Sequence, residues 1–142
     1  MQRTHRGRTI LTTLMIGLLG LNGPVRSASP DPLWTLAGFA QPESVLFDAR
    51  HQRLVVSNID GHPGRADGSG FLSLVGTDGT MIEREWVTGL DAPKGMAIHR
   101  DLLFVSDLTR LHAVDLESGE IARTYAPSGA RFLNDVTVTA HG

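Results

Sequence analysis

The feature that most constrains this chain is an internal repeat that begins at residue 42. Residues 42–58 contain PESVLFD, a short turn and RLVVSN, and residues 93–107 repeat the pattern as PKGMAI, a short turn and LLFVSD. A second strand pair follows each copy, around an Asp-Gly turn at 78–79 and a Ser-Gly turn at 118–119. A repeat of this size indicates a chain built from copies of one supersecondary unit.

The spacing of the repeat indicates four short strands in each unit. Gly79 and Gly119 lie 40 residues apart, as do Lys94 and Asn134, and Gly, Pro and Asp mark the turns between strands. This pattern is typical of β-propeller blades. The run at 102–105 is apolar without alternation, as expected for a strand covered on both faces. We therefore predict an all-β fold of the propeller class, with a β-sandwich or meander as the alternative.

The repeats predict two four-stranded blades plus the first strand of a third. The blades span residues 42–88 and 92–126, and the next blade starts at 131–142 with the strand FLNDVTVT. A propeller closes with about four to eight blades. We therefore expect residues 28–142 to be the N-terminal part of a longer propeller, a fragment of the full ring. Assembly of several copies into a ring is the alternative.

The first unit is longer than the second because of a Gly-rich insertion at residues 60–69. The insertion predicts a loop over the mouth of the central channel. Its acidic residues resemble those of calcium loops, but the Asp-x-Asp-x-Asp-Gly pattern with a closing Glu is missing. A calcium loop is therefore the weaker interpretation.

Residues 1–27 have the three zones of a secretory signal peptide. A basic stretch at 1–8 precedes an apolar run at 10–21, and Val25 and Ser27 supply the residue pair that precedes a cleavage site. The apolar run is shorter than the about 20 residues that span a bilayer. We expect export to the periplasm or the exterior and no stable membrane anchor after cleavage. An uncleaved interfacial anchor is the alternative.

Composition excludes several classes of function. The chain has no Cys, so it has no disulfide, thiolate nucleophile or Cys-ligated metal. It has one lysine, Lys94, and an acidic body after the leader, so we expect no nucleic-acid partner. The sequence contains no Gly-x-Ser-x-Gly elbow, phosphate loop or dinucleotide fingerprint. Its six histidines lack the His-x-x-x-His spacing of zinc sites.

Two short motifs resemble those of a known family. PESV at 42–45 is followed, 91 residues after Glu43, by Asn134 within RFLND at 131–135. Together they resemble the gluconolactonase and senescence marker protein family, also called regucalcin-like. The resemblance covers about the first third of that fold. It implies a six-bladed propeller with a divalent metal on the central axis and hydrolysis of lactones or other esters.

The resemblance also implies metal-binding roles for two residues. Glu43 matches the first-blade glutamate that ligates the metal, and Asn134 matches the asparagine of the family's Arg-Phe-Asn-Asp-Gly motif. Leu133 and Val136 depart from that motif, which leaves the register of Asn134 against Asp135 open. The remaining ligands and the general base that the family implies would lie in later blades.

The spacing of the repeat also brings these site residues together, independently of the family resemblance. Glu43, Lys94 and Asn134 begin the innermost strands of successive units, so ring closure would gather them on one axis. Carboxylate and amide oxygens suit Ca²⁺ first, with Mg²⁺, Mn²⁺ or Zn²⁺ as alternatives. Such a metal could polarise a lactone carbonyl.

Lys94 has three interpretations, because an ammonium repels a metal. It points aside, it binds the anionic part of a substrate, or the axis holds no metal. The structural alternative for the whole group is an ion pair between Glu43 and Lys94, with a capped turn at 134–135.

Two classes of function remain. The first is an exported, metal-dependent lactone or ester hydrolase, with Glu43 and Asn134 at the metal and Lys94 at the substrate. The second is a non-catalytic binding propeller of the NHL type, which displays its loops to a protein or glycan.

Overall fold

A computed structural model describes residues 30–139, and the elements below all lie in the unit that begins at Pro32. The predicted signal peptide, residues 1–27, and the end of the third copy, residues 140–142, lie outside the described residues. Within the described part the chain forms eight strands and no helix. In chain order the strands are β1 (Pro42–Asp48), β2 (Arg53–Asn58), β3 (Gly70–Gly76), β4 (Met81–Leu90), β5 (Pro93–His99), β6 (Leu102–Asp107), β7 (Arg110–Asp115) and β8 (Ile121–Tyr125).

The strands form two four-stranded antiparallel sheets, each a simple meander. The first sheet has the order β1-β2-β3-β4 and the second the order β5-β6-β7-β8. Gly79 and Gly119 lie in the turns before the fourth strands, with φ of 84° and 75°. This left-handed region favours glycine, so the glycines at 79 and 119 mark the two turns in the sequence. The prediction of an all-β fold is confirmed, and the two sheets are consistent with propeller-like blades.

One hydrophobic core joins the two sheets. β5 packs against β1 and also contacts β2 and β3, so the first strand of the second sheet lies against the first sheet. Burial of apolar side chains is the main source of stability in such a core. The core consists of five residues from each repeat, which are Val55, Leu72, Leu74, Val87 and Leu90, then Met96, Leu103, Val105, Val114 and Leu116.

The first strands of the two sheets differ in how far they are covered. Val45 and Met96 occupy the same place in their repeats, three residues after the proline that begins the strand. Met96 is 7% exposed, whereas Val45 is 62% exposed and Phe47, two residues further along β1, is 47% exposed. Residues 30–139 therefore supply a sheet that covers this face of β5 and none that covers the equivalent face of β1.

A tryptophan lies on the turn between the third and fourth strands of each sheet. Trp86 of β4 lies against Gly119, where an added Cβ would be 2.7 Å from Trp86 Nε1. Trp34, which precedes β1, lies in the same way against Gly79 and donates a hydrogen bond from Nε1 to Thr77 O at 3.0 Å. The segment before β1 thus contacts the first sheet as β4 contacts the second.

Residues 132–139 form no strand with another described segment, and the strand that the third copy of the repeat predicts stays a prediction. The segment makes an isolated bridge between Leu133 and Leu108. Gly95 N donates a hydrogen bond to Asn134 O at 3.0 Å, which places the segment beside the start of β5. A strand requires a continuous ladder with a neighbour, and the described residues contain no ladder for this segment.

Candidate functional site

The first strand of each sheet begins with an irregular register against the second strand. The register shifts at Glu43 in β1, and at Lys94 and Gly95 in β5. Such β-bulges re-aim side chains and are common beside functional sites. Two of the three predicted site residues therefore lie in equivalent bulges. Apart from the proline that begins each strand, nothing in the sequence indicates these bulges.

A serine from the neighbouring strand holds each bulge. Ser44 N donates a hydrogen bond to Ser57 Oγ at 3.1 Å, and Ser106 Oγ donates one to Gly95 O at 3.1 Å. Ser57 and Ser106 are both buried. They fix the backbone of the residue that follows Glu43 in β1 and of the one that follows Lys94 in β5. The repeat contains both serines, but its sequence does not show which groups they bind.

The residue after each serine holds the chain that enters the first strand. Asn58 Oδ1 accepts a hydrogen bond from Ala40 N at 3.1 Å. Asp107 accepts two, from Asp91 N at 2.8 Å and from Ala92 N at 2.6 Å. Asn58 and Asp107 are buried, and buried polar groups of this kind are stabilising when they are paired. The entry to β1 and β5 is therefore fixed in the same way in both repeats.

Asp107 is also the acidic partner of a buried histidine. His112 Nε2 lies 3.3 Å from Asp107 Oδ2, and His112 Nδ1 pairs with Thr124 Oγ1 at 2.9 Å. Burial alone would raise the pKa of Asp107. The interaction with His112 and the two backbone N–H groups outweigh burial and bring the pKa below its ordinary value of 3.8. Asp107 is therefore a buried negative charge, which sequence analysis missed.

Lys94 is the most buried of the predicted site residues, with 2% of its surface exposed. Its Nζ donates hydrogen bonds to Ala92 O at 2.8 Å and to Pro63 O at 3.3 Å. The same atom lies 4.6 Å from the centre of the Phe132 ring. The ammonium is therefore held by the chain before β5, by the 60–69 loop and by the segment that contains Asn134.

Two carboxylates act on Lys94 through space. Burial lowers the pKa of Lys94, and the negative charges of Asp107 and Glu43 oppose part of that shift. Among residues 30–139, neither carboxylate forms an ion pair with Lys94, whose hydrogen bonds go to backbone carbonyls. The ion pair between Glu43 and Lys94 that the structural alternative requires is not formed.

Glu43 is exposed, and its side chain makes no hydrogen bond or ion pair with another described residue. It lines a shallow cavity of about 220 Å³ with Pro42, Ser44, Val45 and Val56. A carboxylate with free oxygens at the edge of a cavity is available to a ligand or to a cation.

Asn134 is also exposed, and its backbone bond to Gly95 keeps it beside β5. Asp135 lies against the same glycine, because a Cβ added to Gly95 would overlap the Asp135 side chain. Asp135 Oδ1 accepts a hydrogen bond from Val136 N at 2.8 Å. Both residues of the Asn-Asp pair therefore lie near Lys94, and the register between them stays open.

The donor atoms at this site fit a hard cation in chemistry, although they supply only part of a ligand set. The Glu43 carboxylate and the Asn134 amide are oxygen ligands of the kind that Ca²⁺ prefers, and Ca²⁺ takes about six to eight of them. Within residues 30–139 no three His, Asp or Glu side chains come together to hold a metal. Water or further ligands would have to complete the set.

A second cavity, of about 190 Å³, lies on the other side of β5. The cavity lies between the second sheet and residues 136–138. It exists because the chain after β8 passes over this face of the sheet. The sequence therefore could not predict it. Its walls are mainly apolar and are formed by His99, Phe104, Leu111, Val136, Thr137 and Val138.

Comparison with protein-family models and with curated proteins gives no match for this chain. Residues 30–139 contain no helix long and apolar enough to cross a membrane.

Proposed function

We propose that residues 42–139 belong to a β-propeller like those of the gluconolactonase and senescence marker protein family. The packing supports this fold. The first sheet covers Met96 in β5, whereas the equivalent Val45 in β1 is open to a further sheet. The contact of Trp34 with the first sheet repeats that of Trp86 with the second, as expected if the segment of Trp34 ends a preceding blade.

For this fold we propose metal-dependent hydrolysis of a lactone or another carboxylic ester. The observation that carries the proposal is the Glu43 carboxylate, which lies at a bulge, is exposed and makes no hydrogen bond or ion pair with another described residue. Lys94, close enough to Glu43 to act on it electrostatically, is bonded to backbone carbonyls instead. The oxygen donors of Glu43 thus remain available.

The residues of the site have separate roles in this proposal. Glu43 and Asn134 would hold the divalent cation, for which Ca²⁺ is the first candidate, and the bound cation supplies Lewis-acid polarisation of a carbonyl. Ser57 holds the backbone beside Glu43. Asp107 stabilises the charge of Lys94, and Lys94 would bind the substrate.

Substitution of the proposed ligand tests the metal and the reaction together. The experiment is calorimetric titration of the full chain with CaCl₂ and MnCl₂, together with hydrolysis of a sugar lactone. Glu43→Gln should weaken metal binding by at least about tenfold and lower hydrolysis in step. Glu83→Gln, an exposed glutamate of β4, is the matched control and should leave both unchanged. Wild-type metal affinity in Glu43→Gln would overturn the proposal.

A non-catalytic binding propeller of the NHL type is the second candidate. The observation in its favour is the ammonium of Lys94, which acts on Glu43 electrostatically and would repel a divalent cation. This candidate requires that the wild-type chain binds no divalent metal and hydrolyses no lactone, while its loops retain a protein or glycan partner.

We also infer export to the periplasm or the exterior. The support is the sequence of zones in residues 1–27, which is typical of a signal peptide. Mass spectrometry of the exported protein should show an N-terminus at Ala28. A mature chain that retains Met1 would contradict the inference.

A further inference from the structure

The 60–69 loop between β2 and β3 is tied at both ends to the segments that enter β1 and β5. At its first end, Asp60 N donates a hydrogen bond to Ala40 O at 3.2 Å, and Gly61 N donates one to Gln41 Oε1 at 2.8 Å. At its other end, Gly68 N donates one to Asp91 Oδ1 at 3.1 Å. The loop therefore crosses from the start of one sheet to the start of the other.

A serine closes the neck of this loop. Ser69 Oγ donates to Asp60 O at 2.5 Å and also lies 2.6 Å from Asp67 Oδ1. Residues 60–68 are all exposed, as is typical of a compact surface loop whose ends lie close together. Between these ends, a hydrogen bond from Lys94 Nζ to Pro63 O, at 3.3 Å, joins the loop to the second sheet.

Lys94 lies buried where this bond is made. An ammonium has three N–H donors, and the hydrogen bonds of Lys94 Nζ go to Ala92 O and Pro63 O. The bond to Pro63 is the longer of the two, and its acceptor belongs to an exposed loop. It is therefore the bond that a ligand could replace at the lowest cost.

The charges near Lys94 select the kind of ligand that could replace Pro63 O. Glu43 and Asp107 both act on Lys94 electrostatically, so two negative charges lie near one ammonium. An anion would meet net repulsion there, whereas a neutral oxygen acceptor would leave the charge balance as it is with Pro63 O in place.

We propose that the 60–69 loop is a lid latched by Lys94, and that its ligand is a neutral molecule whose carbonyl or hydroxyl oxygen takes the place of Pro63 O. The site thus selects an uncharged, oxygen-bearing ligand over a carboxylate. The inference goes beyond the proposed hydrolysis, because it requires neither a bound metal nor turnover.

The single lysine of the chain makes the lid directly measurable. Trace acetylation with acetic anhydride, followed by mass spectrometry, gives the modification rate of Lys94 in the folded chain and in urea. A latched lid should slow acetylation by about tenfold or more relative to the unfolded chain. Equal rates in the two states would overturn the proposal.

Two variants separate the lid from simple burial. Ser69→Ala removes the hydroxyl that closes the neck and should raise the acetylation rate of Lys94 about fivefold, the effect of one lost hydrogen bond. Ser118→Ala is the matched control, because Ser118 Oγ bonds Asp115 Oδ1 at 3.0 Å in a turn remote in sequence from the lid. If Ser69→Ala does not fold, Gln41→Ala, which frees Gly61 N, replaces it. A folded lid variant that reacts at the same rate as Ser118→Ala would overturn the latch.

The ligand class is tested with two small probes of similar size in the wild-type chain. The neutral carbonyl compound δ-valerolactam should shift the NMR amide signals of Gly61, Gly64 and Gly68 and should slow the acetylation of Lys94. Sodium valerate, at equal ionic strength, should do neither. A response to valerate alone, or to neither probe, would overturn the assignment of a neutral ligand. Because the probes and readouts involve no metal and no hydrolysis, failure of the proposed activity would leave this result unchanged.

Discussion

Gly119 and Gly129 share a backbone conformation but differ in their surroundings, which makes them a matched pair. Their φ values are 75° and 80°, a region that costs an L-residue about 1–2 kcal/mol. A Cβ at Gly119 would lie 2.7 Å from Trp86 Nε1, whereas one at Gly129 meets nothing within 4 Å. We expect Gly119→Ala to lower the free energy of unfolding by about 1–3 kcal/mol more than Gly129→Ala. Urea denaturation measures both, and equal losses would mean that Trp86 moves aside without cost.

Asp107 should make the stability of the chain sensitive to acid. Its pKa is below 3.8 in the folded state, so its stabilising contribution is complete above pH 3.8 and is lost as the pH falls through the folded pKa. Asp107→Asn, which copies the equivalent Asn58, should therefore lose stability at neutral pH, and its deficit relative to wild type should shrink on acidification below pH 3.8.

The control for this prediction is Asp60→Asn. The Asp60 side chain is exposed, and the hydrogen bonds that Asp60 makes in the lid involve its backbone N and O atoms. Urea denaturation at neutral pH and at about pH 3 gives the comparison. A deficit for Asp107→Asn that stays constant between the two pH values would contradict the role assigned to the Asp107 charge.

At the scale of the strands, the two repeats place equivalent residues in opposite environments. Val45 in β1 is open to solvent, whereas Met96 in β5 belongs to the core. Met96→Ala should lower the free energy of unfolding by about 2–5 kcal/mol, and Val45→Ala by about 1 kcal/mol or less. Similar losses, measured by urea denaturation, would mean that β1 is covered in solution.

The strand pattern could be predicted to the extent that turn residues mark the strand ends. The Asp-Gly and Ser-Gly turns located the hairpins of both sheets, whereas the length of β4 could not be predicted, because after the apolar Met81 and Ile82 it continues to Leu90. The strand continues through exposed Glu83 and Glu85 because its partner β3 supplies a ladder, and polar residues on an outer strand carry no apolar pattern. The segment at 132–139 is the opposite case, because it has the pattern of a strand but no ladder partner among residues 30–139.

The candidate site could be predicted where it follows the repeat. Equivalent strand starts indicated Glu43, Lys94 and Asn134, and the structure places Lys94 where it interacts with the segments of the other two. The direction of the Lys94 side chain could not be predicted, because its partner Pro63 belongs to the insertion, which has no counterpart in the second repeat. The role of Asp107 was missed because its partners are two backbone N–H groups and the side chain of His112 on the next strand, which no motif in the sequence connects to it.

At the scale of the whole molecule, the shared core predicts that the two sheets unfold together. Leu103 in β6 is fully buried in the core that the two sheets share. Leu103→Ala should lower the free energy of unfolding by about 2–5 kcal/mol. Hydrogen exchange should show faster opening of amides in β3 as well as in β6. Protection that falls in the second sheet alone would mean that the sheets are independent.

The two tryptophans of the chain give the molecule an optical property that follows from their positions. Trp34 and Trp86 are the only tryptophans, and each lies on a turn glycine of a different sheet. Intrinsic fluorescence therefore reports on two separate junctions, one at each hairpin. Replacement of one tryptophan by phenylalanine leaves the fluorescence of the other tryptophan alone. The unfolding of each sheet can then be followed separately without an added dye.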